Sequence, residues 1–391
     1  MTDDKIPFVT FYAENNISPV SQDISDLKKH FRRREALYRH LGLPPALLRG
    51  KRILEIGPGS GFNALFTLNC APGRYLLIDG NPVGAQETSG RLKAFAAQGA
   101  IDTDMEVRLT LLENFETSER FDLVLCEGML PWQIDPPGLF RRLMSYCAPG
   151  GLVVVTCIDA LSSLSDMLRR VMGLAVVDVS LPLSEQAETL EPFFAPHFAN
   201  LPGMSRPLPD WIYDNVLQPC YGSLFSISDA IDAAADVADV YGASPHFFTD
   251  WRWYKDIHEV RSGVNELMKR LYWENAHNFL DYEAVFPSGS AENNRRLMAM
   301  GDKLFTEINE FQRNRDLGLL EDMAAAVESL AEGLGWPDKA KIFARTAARV
   351  RDAARMLKEI RTAARPREVA AGEFAFLFGR GQQYVSFIVK A

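Results

Sequence analysis

From Arg52 to Ile158 short apolar runs alternate with helix-like stretches. RILEI leads into FNALFTLNC, RYLLID into VGAQETSGRLKAFAAQ, MEVRLTLL into a turn-rich link, FDLVLCE into GLFRRLMSYC, and GLVVVTCI closes the series. Runs of roughly five to eight residues bounded by Gly, Pro and Asp are too short for buried helices. Their alternation with longer amphipathic segments predicts βαβ units and a parallel sheet covered by helices on both faces.

Beyond Ile158 the pattern changes. A helix is expected near Ser162 to Met172, followed by a Pro-rich stretch from Leu181 to Gly222 with no clear period. Helical patterns then cover about 226–241, 257–282, 290–313, 318–334 and 338–365. In the last of these, Phe343, Ala347, Val350, Ala354, Leu357 and Ile360 recur at steps of three and four, and Pro366 is a natural stop. The final GEFAFLFGRGQQYVSFIVKA returns to strand chemistry. Two runs, Glu373 to Phe378 and Tyr384 to Val389, flank GRGQQ and predict a hairpin. A hairpin this apolar cannot stand alone, which places it on the edge of the earlier sheet. The expected organisation is an N-terminal helical lid segment (1–50), a core made of 51–159 and 366–391, and a helical substrate cap inserted at 160–365.

Composition narrows the function classes. The chain has 391 residues, 47% of them hydrophobic and 24% charged, with a net charge of -9. Such acidity argues against DNA or RNA as the main partner, because phosphate binding needs clustered Lys and Arg. The five cysteines lack CxxC spacing and three fall in or beside apolar runs, as expected of reduced thiols acting as small hydrophobes. The first residues show no signal-peptide pattern, and no run approaches the roughly 20 apolar residues of a membrane span. A cytoplasmic protein without membrane or nucleic-acid partners is expected; its oligomeric state is open.

The densest chemistry lies in RILEIGPGSGFNA, where Gly57, Gly59 and Gly61 directly follow an apolar run holding a single acid, Glu55. A strand running into a glycine-rich turn and then a helix makes a cradle. Missing side chains let a ligand approach the backbone, and the helix start offers unpaired N–H groups. A dinucleotide-binding loop uses the same physics with GxGxxG spacing; here the third glycine comes one residue earlier.

This pattern resembles the class I S-adenosylmethionine-dependent methyltransferases, whose first motif, E/DxGxGxG, is matched by Glu55, Gly57, Gly59 and Gly61. The resemblance implies a Rossmann-like α/β fold: a seven-stranded, mostly parallel sheet ending in the antiparallel hairpin, here with a large, mainly α-helical insertion. It further implies S-adenosyl-L-methionine as cofactor. The glycines would pass under its methionine part, with Glu55 either bracing the loop or reaching the amino group through water. Asp79, at the end of YLLID, would accept hydrogen bonds from both ribose hydroxyls, a task suited to two acceptor oxygens; an N-cap is its plainer role. Glu113 or Asn114 in LLENF would meet the adenine amine, and Glu127 closes the fourth strand beside the cofactor. APGG before the fifth strand also fits.

Methyl transfer to a bound nucleophile can be driven by positioning, with a base added when the acceptor must lose a proton. The chain has EGMLPWQ after the fourth strand, not the Asn-Pro-Pro-aromatic motif of methyltransferases acting on nucleic-acid bases, and it lacks the histidine pair that many small-molecule members carry there. Candidate bases are therefore His246 and His277. On a helix Glu274, His277 and Asp281 would share one face, as a base with orienting acids or as a plain ion-pair face; no metal site is expected. Trp132, Trp251, Arg252, Trp253 and Tyr254 combine stacking surfaces with a fixed donor and are the expected substrate contacts, with core packing as the simpler alternative. KKHFRRR (Lys28 to Arg34) and the basic stripe Lys341, Arg345, Arg349, Arg355, Lys358, Arg361 and Arg365 read as solvated faces, with phosphate capture as the functional alternative. FVTFYAENNISPV (Phe8 to Val20) would form a lid.

The expectation is an S-adenosylmethionine-dependent O-methyltransferase of a sizeable small-molecule or glycan-precursor acceptor. The alternatives are an N-methyltransferase of a metabolite or protein, a non-catalytic cofactor-binding protein, and a nicotinamide-dependent oxidoreductase, the last disfavoured by the glycine spacing.

Overall fold

The computed structural model describes residues 11, 23–201, 204, 206–220, 222–256, 263–334 and 340–391. Apart from Phe11, the expected lid over Phe8 to Val20 lies outside the described residues, as does the side chain of Lys341. The chain divides into two units: Met1–Ile158 with Tyr221–Tyr272 and Gln382–Ala391, and Asp159–Cys220 with Trp273–Gly381.

The first unit is built on one sheet. Its strands are β1 (Arg52–Ile56), β2 (Arg74–Asp79), β3 (Asp104–Leu109), β4 (Phe121–Cys126), β5 (Cys147–Cys157), β6 (Ala238–Ser244) and β7 (Gln383–Val389), in the order β3-β2-β1-β4-β5-β7-β6. The first five run parallel, and β7 lies antiparallel between β5 and β6. Parallel neighbours need crossovers, supplied here by helices α2 (Ala64–Asn69), α3 (Pro82–Gly99) and α4 (Pro136–Tyr146). Helix α1 (Leu27–His40) precedes the sheet. One face presents Ile53, Tyr75, Leu77, Leu123, Leu125 and Val154 to a core shared with Tyr38, Leu65, Phe66 and Leu92 from these helices. The period-two alternation puts Glu55 on the same face as Ile53.

The seven-stranded, mostly parallel sheet matches expectation, but its sixth strand comes from elsewhere. Glu373–Phe376 is a short 3-10 helix, and β7 pairs on its outer side with Ala238–Ser244. The expected helix over 226–241 stops at Ala234, and the chain then becomes β6. The segment expected as one cap over 160–365 therefore returns to the sheet unit at 221–272. GRG is not a hairpin turn. Arg380 instead donates to the carbonyls of Asn278, Asp281, Tyr282 and Ala284, tying its loop within the helical unit.

The outer strand β6 is shielded by Asn265, whose Oδ1 accepts from Val240 N at 2.9 Å and whose Nδ2 donates to Ala238 O at 2.8 Å. One buried amide thus occupies edge groups that would otherwise offer a template for pairing.

The helical unit contains α5 (Leu164–Val176), α6 (Leu183–Phe198), α7 (Ala291–Asn314), α8 (Leu319–Leu334) and α9 (Ala340–Thr362). Helix α6 falls in the stretch expected to be irregular. It accommodates Pro192 and Pro196 because its other face packs Leu190, Phe193, Phe194 and His197 into the core. All five cysteines are buried thiols outside any disulfide, and among the described residues no helix is long and apolar enough to cross a membrane.

Asn265→Ala should destabilise the protein by about 1–3 kcal/mol, since it strands a buried donor and acceptor on β6. Urea denaturation of the purified variant measures this as a lower midpoint at unchanged slope.

Candidate functional site

The carboxyl ends of β1, β2, β3 and β4 form one rim, and the residues leaving it build the site. Gly57, Gly59 and Gly61 all take positive φ, at 67°, 58° and 78°. Gly61 has a second reason to be glycine: a Cβ there would stand 3.0 Å from Thr88 Cα on α3. The loop is held from both sides, Thr88 Oγ1 donating to Gly59 O at 2.8 Å and Gly59 N donating to Asp79 Oδ2 at 2.9 Å.

The other Asp79 oxygen accepts from Asn81 N at 2.8 Å, and Asn81 caps α3 through Val83 N at 2.9 Å. Asp79 therefore fixes the glycine loop on one side and the start of α3 on the other. Burial pushes its carboxyl up to about 6. Each of these carboxylate oxygens has an acceptor site beyond the amide it receives. A backbone-walled loop beside a carboxylate fits a nucleoside with two vicinal hydroxyls. Glu113 and Asn114, in a 3-10 turn after β3, are exposed on the same rim, where Thr110 N donates to Asp79 O at 2.9 Å.

Glu55 faces inward, 5% exposed, and receives the Tyr75 hydroxyl. Burial first, and the nearby charge of Glu127 second, push its carboxyl up to about 7. Its hydrogen-bond partner thus lies on β2, the neighbouring strand. Glu127 is gripped by Arg34 of α1, whose Nη1 donates to Oε2 at 2.8 Å while Nη2 donates to Oε1. Arg34 Nη2 also lies 3.3 Å from the Tyr38 hydroxyl, which is 3.1 Å from Thr67 Oγ1 on α2. One turn earlier, His30 Nε2 donates to Phe62 O at 3.0 Å. KKHFRRR is thus not wholly a solvated face: His30, Arg34 and Tyr38, four residues apart, form a buried stripe over the cradle. That spacing was the signal available in the sequence. In the late basic stripe Arg349 is likewise buried, donating to Asp281 and Glu283, whereas Arg355, Lys358 and Arg361 make outer ion pairs.

After β4, Gly128 N donates to Thr156 Oγ1 at 2.9 Å. Trp132 is held at a φ of 74°, a left-handed conformation that a bulky residue adopts only under constraint. The constraint is visible: Trp132 N donates to Ser223 O at 2.8 Å, Ser223 N donates to Gln133 O at 2.9 Å, and a Cβ on Gly222 would lie 1.7 Å from Trp132 O.

The structure gathers Gly57, Gly59, Gly61, Asp79, Glu55, Glu127, Glu113, Asn114 and Trp132 at or under one rim, but not the two histidines. His277 is 1% exposed in the helical unit, with Nδ1 3.0 Å from Asn294 Oδ1 and Nε2 3.2 Å from Pro287 O, so it cannot meet an acceptor. The α-helix carrying Glu274 ends at Asn275, and Asp281 pairs with Arg349 and Thr346, which dissolves the expected shared face. His246 is exposed beyond β6 and donates from Nε2 to His40 O at 3.0 Å. His40 lies six residues along α1 from Arg34, about 9 Å at the helical rise. Trp251 (90% exposed), Trp253 and Tyr254 stand in solvent on the segment after β6, and Arg252 is committed to Asp250 through Nε and Nη2.

The five parallel strands in the order β3-β2-β1-β4-β5, with the site residues at their carboxyl ends, make a Rossmann-like sheet, the kind of fold in which ligands bind at that edge. Residues 29–191 match the family model described as a methyltransferase domain. The chain carries a class I, S-adenosylmethionine-dependent methyltransferase domain. Among curated proteins it is similar to the ubiquinone biosynthesis O-methyltransferase of Bradyrhizobium sp. (strain ORS 278), at 30% identity over 115 residues, which cover 29% of this chain and 42% of the relative. The chain thus spans less than half the length of the curated relatives it matches. Similar solved structures include the N-methyltransferase NodS of Bradyrhizobium japonicum WM9 in complex with S-adenosyl-L-homocysteine (18% identity, 40% of this chain and 74% of that one, TM-score 0.31). PKMT2 of Rickettsia typhi is another (16% identity, 62% and 49%, TM-score 0.38).

Two carboxyls with raised folded-state values make stability depend on pH. Because the folded state holds these protons more tightly, stability is full below the unfolded-state values near 4 and falls as pH rises toward 6–7. Glu55→Gln should remove about half of this fall, a change of about 3 kcal/mol between pH 4.5 and 7.5. Denaturant titrations of wild type and variant at the two pH values measure it.

Proposed function

We propose that the protein transfers a methyl group from S-adenosylmethionine to a hydroxyl of a sizeable polar small molecule or glycan precursor. The observation that carries the cofactor part is the Gly59 N to Asp79 Oδ2 hydrogen bond, which sets a backbone cradle beside a carboxylate with acceptor capacity to spare. Gly57, Gly59 and Gly61 would underlie the methionine part, Asp79 would take the ribose hydroxyls, Glu113 or Asn114 the adenine amine, and Glu127 would flank the cofactor. The O-methyl assignment draws on the relatives named ubiquinone biosynthesis O-methyltransferase.

The bound cofactor supplies an activated methyl group on a sulfonium. The chain's part is to align the acceptor and exclude water. The loop Glu127 to Gln133, pinned through Trp132 and Ser223, is the rigid wall suited to this. With His277 enclosed and His246 held by His40, positioning would supply the rate: the acceptor oxygen takes the methyl as the S–CH3 bond breaks, and the hydroxyl proton leaves to solvent water. The exposed aromatics Trp251, Trp253 and Tyr254 would reach an acceptor only as its outer contacts.

Asp79→Asn should weaken S-adenosylmethionine affinity about 10- to 100-fold, the worth of charge-assisted hydrogen bonds. Calorimetric titration checks it, and an unchanged affinity removes the ribose assignment. His246→Ala should keep at least half of the wild-type turnover with any accepted substrate, read from formation of the demethylated cofactor.

A further inference from the structure

The two outer strands of the sheet differ in what they offer. On β6 the Asn265 side chain occupies Val240 N and Ala238 O. On β3 (Asp104–Leu109), among the described residues, nothing pairs on the outer side. This strand keeps an unbroken register with β2 along its length, and its sequence, DMEVRL, contains no Pro, Gly or Lys to blunt the edge. Asp104 N donates to Gly73 O at 3.1 Å and Thr110 N donates to Asp79 O at 2.9 Å. The even-numbered residues therefore turn their backbone polar groups toward β2, and Met105, Val107 and Leu109 turn theirs outward.

The side chains divide along the same period of two. Met105 and Val107 pack against the core with Phe95 and Ala96 of α3, and Leu109, next on that face, is 60% exposed. The opposite face carries Asp104, Glu106 and Arg108, the last two with more than a third of their side chains accessible. Arg108 Nη2 donates to Glu106 Oε2 at 3.1 Å within the strand. An open row of backbone donors and acceptors, an exposed apolar residue, and an acid and a base two positions apart are together the features that pairing with an identical strand would satisfy.

We infer that β3 pairs antiparallel with β3 of a second copy of this chain, about a two-fold axis at Val107. Val107 then faces the partner's Val107 and Met105 faces the partner's Leu109, all with outward backbone groups, which makes roughly six hydrogen bonds and covers the exposed leucine. Glu106 falls opposite the partner's Arg108 at a non-hydrogen-bonded position, where Cα atoms approach to about 4.5 Å and opposite charges attract. Neighbouring registers fail on charge. Centring on Glu106 or Arg108 sets that residue against its own counterpart, and centring on Met105 sets Asp104 against Glu106. Because Asn265 closes the edge at β6, assembly stops at the dimer instead of extending into a filament.

Sedimentation velocity of the full chain between about 1 and 100 μM, the range in which a small interface associates, tests this. The expected result is a reversible monomer–dimer equilibrium with no larger species. Leu109→Lys, at an exposed position, and Arg108→Glu, which sets acid against acid on both sides of the axis, should each weaken dimerisation at least about tenfold. Glu106→Arg should do the same, and mixing it with Arg108→Glu restores acid opposite base and should recover a heterodimer, which a folding defect could not produce. Melting temperatures are read alongside, and Leu109→Lys decides independently if a charge variant fails to fold. A wild type that stays monomeric throughout would overturn the inference and leave this edge to a different partner. So would a dimer unmoved by Leu109→Lys and Arg108→Glu, which would lie on another surface, or two folded charge variants that stay monomeric when mixed. Since neither cofactor nor methyl transfer enters the measurement, failure here leaves the methyltransferase reading intact.

Discussion

The hydrogen bond from Gly59 N to Asp79 Oδ2 is the constraint on which the cradle depends. Three left-handed glycines at alternate positions would be a mobile turn if left alone, because glycine surrenders more conformational entropy on ordering than any other residue. The bond anchors the middle of that turn to the end of β2, and Thr88 holds the same residue from α3. The cost falls on Asp79, whose partial desolvation raises its proton affinity. A carboxylate kept partly unsatisfied at a strand end is poor stabilisation and good ligand recognition.

Packed against the cradle, α1 acts as a brace. His30 meets the loop at Phe62, Arg34 grips Glu127, Tyr38 meets Thr67, and beyond the helix Leu41 O accepts from Ser386 Oγ on β7 at 2.9 Å. The helix and the residue that follows it thus touch the segment after the glycine loop, the end of β4 and the antiparallel strand. Buried ion pairs seldom add much net stability, but losing one partner leaves an unpaired charge, which makes Arg34 and Glu127 interdependent.

The parallel strands and the glycine motif were legible because both are local: five apolar runs and one turn signature need no knowledge of distant contacts. What was not legible is long-range. Ala238 to Tyr241 read as the end of a helix by pattern, and pairing with the outer flank of β7 makes Ala238–Ser244 a strand. Glu373 to Phe378 has strand composition but serves the helical unit, where Phe374 and Phe378 pack around Arg169. His277 looked like chemistry because it is a histidine among aromatics and acids, yet its two ring nitrogens are consumed by Asn294 and Pro287. Arg34 looked like surface because it sits in a basic run, and its role follows from Glu127, 93 residues away.

The central claim is that the rim formed by Gly57, Gly59, Gly61 and Asp79 holds S-adenosylmethionine. A crystal structure of the protein grown with S-adenosylhomocysteine tests it most directly. The account predicts the ribose hydroxyls within hydrogen-bond distance of the Asp79 carboxylate and the homocysteine chain running over the glycine turn. A nucleoside seated away from Asp79, with the glycine turn uncontacted, would contradict it.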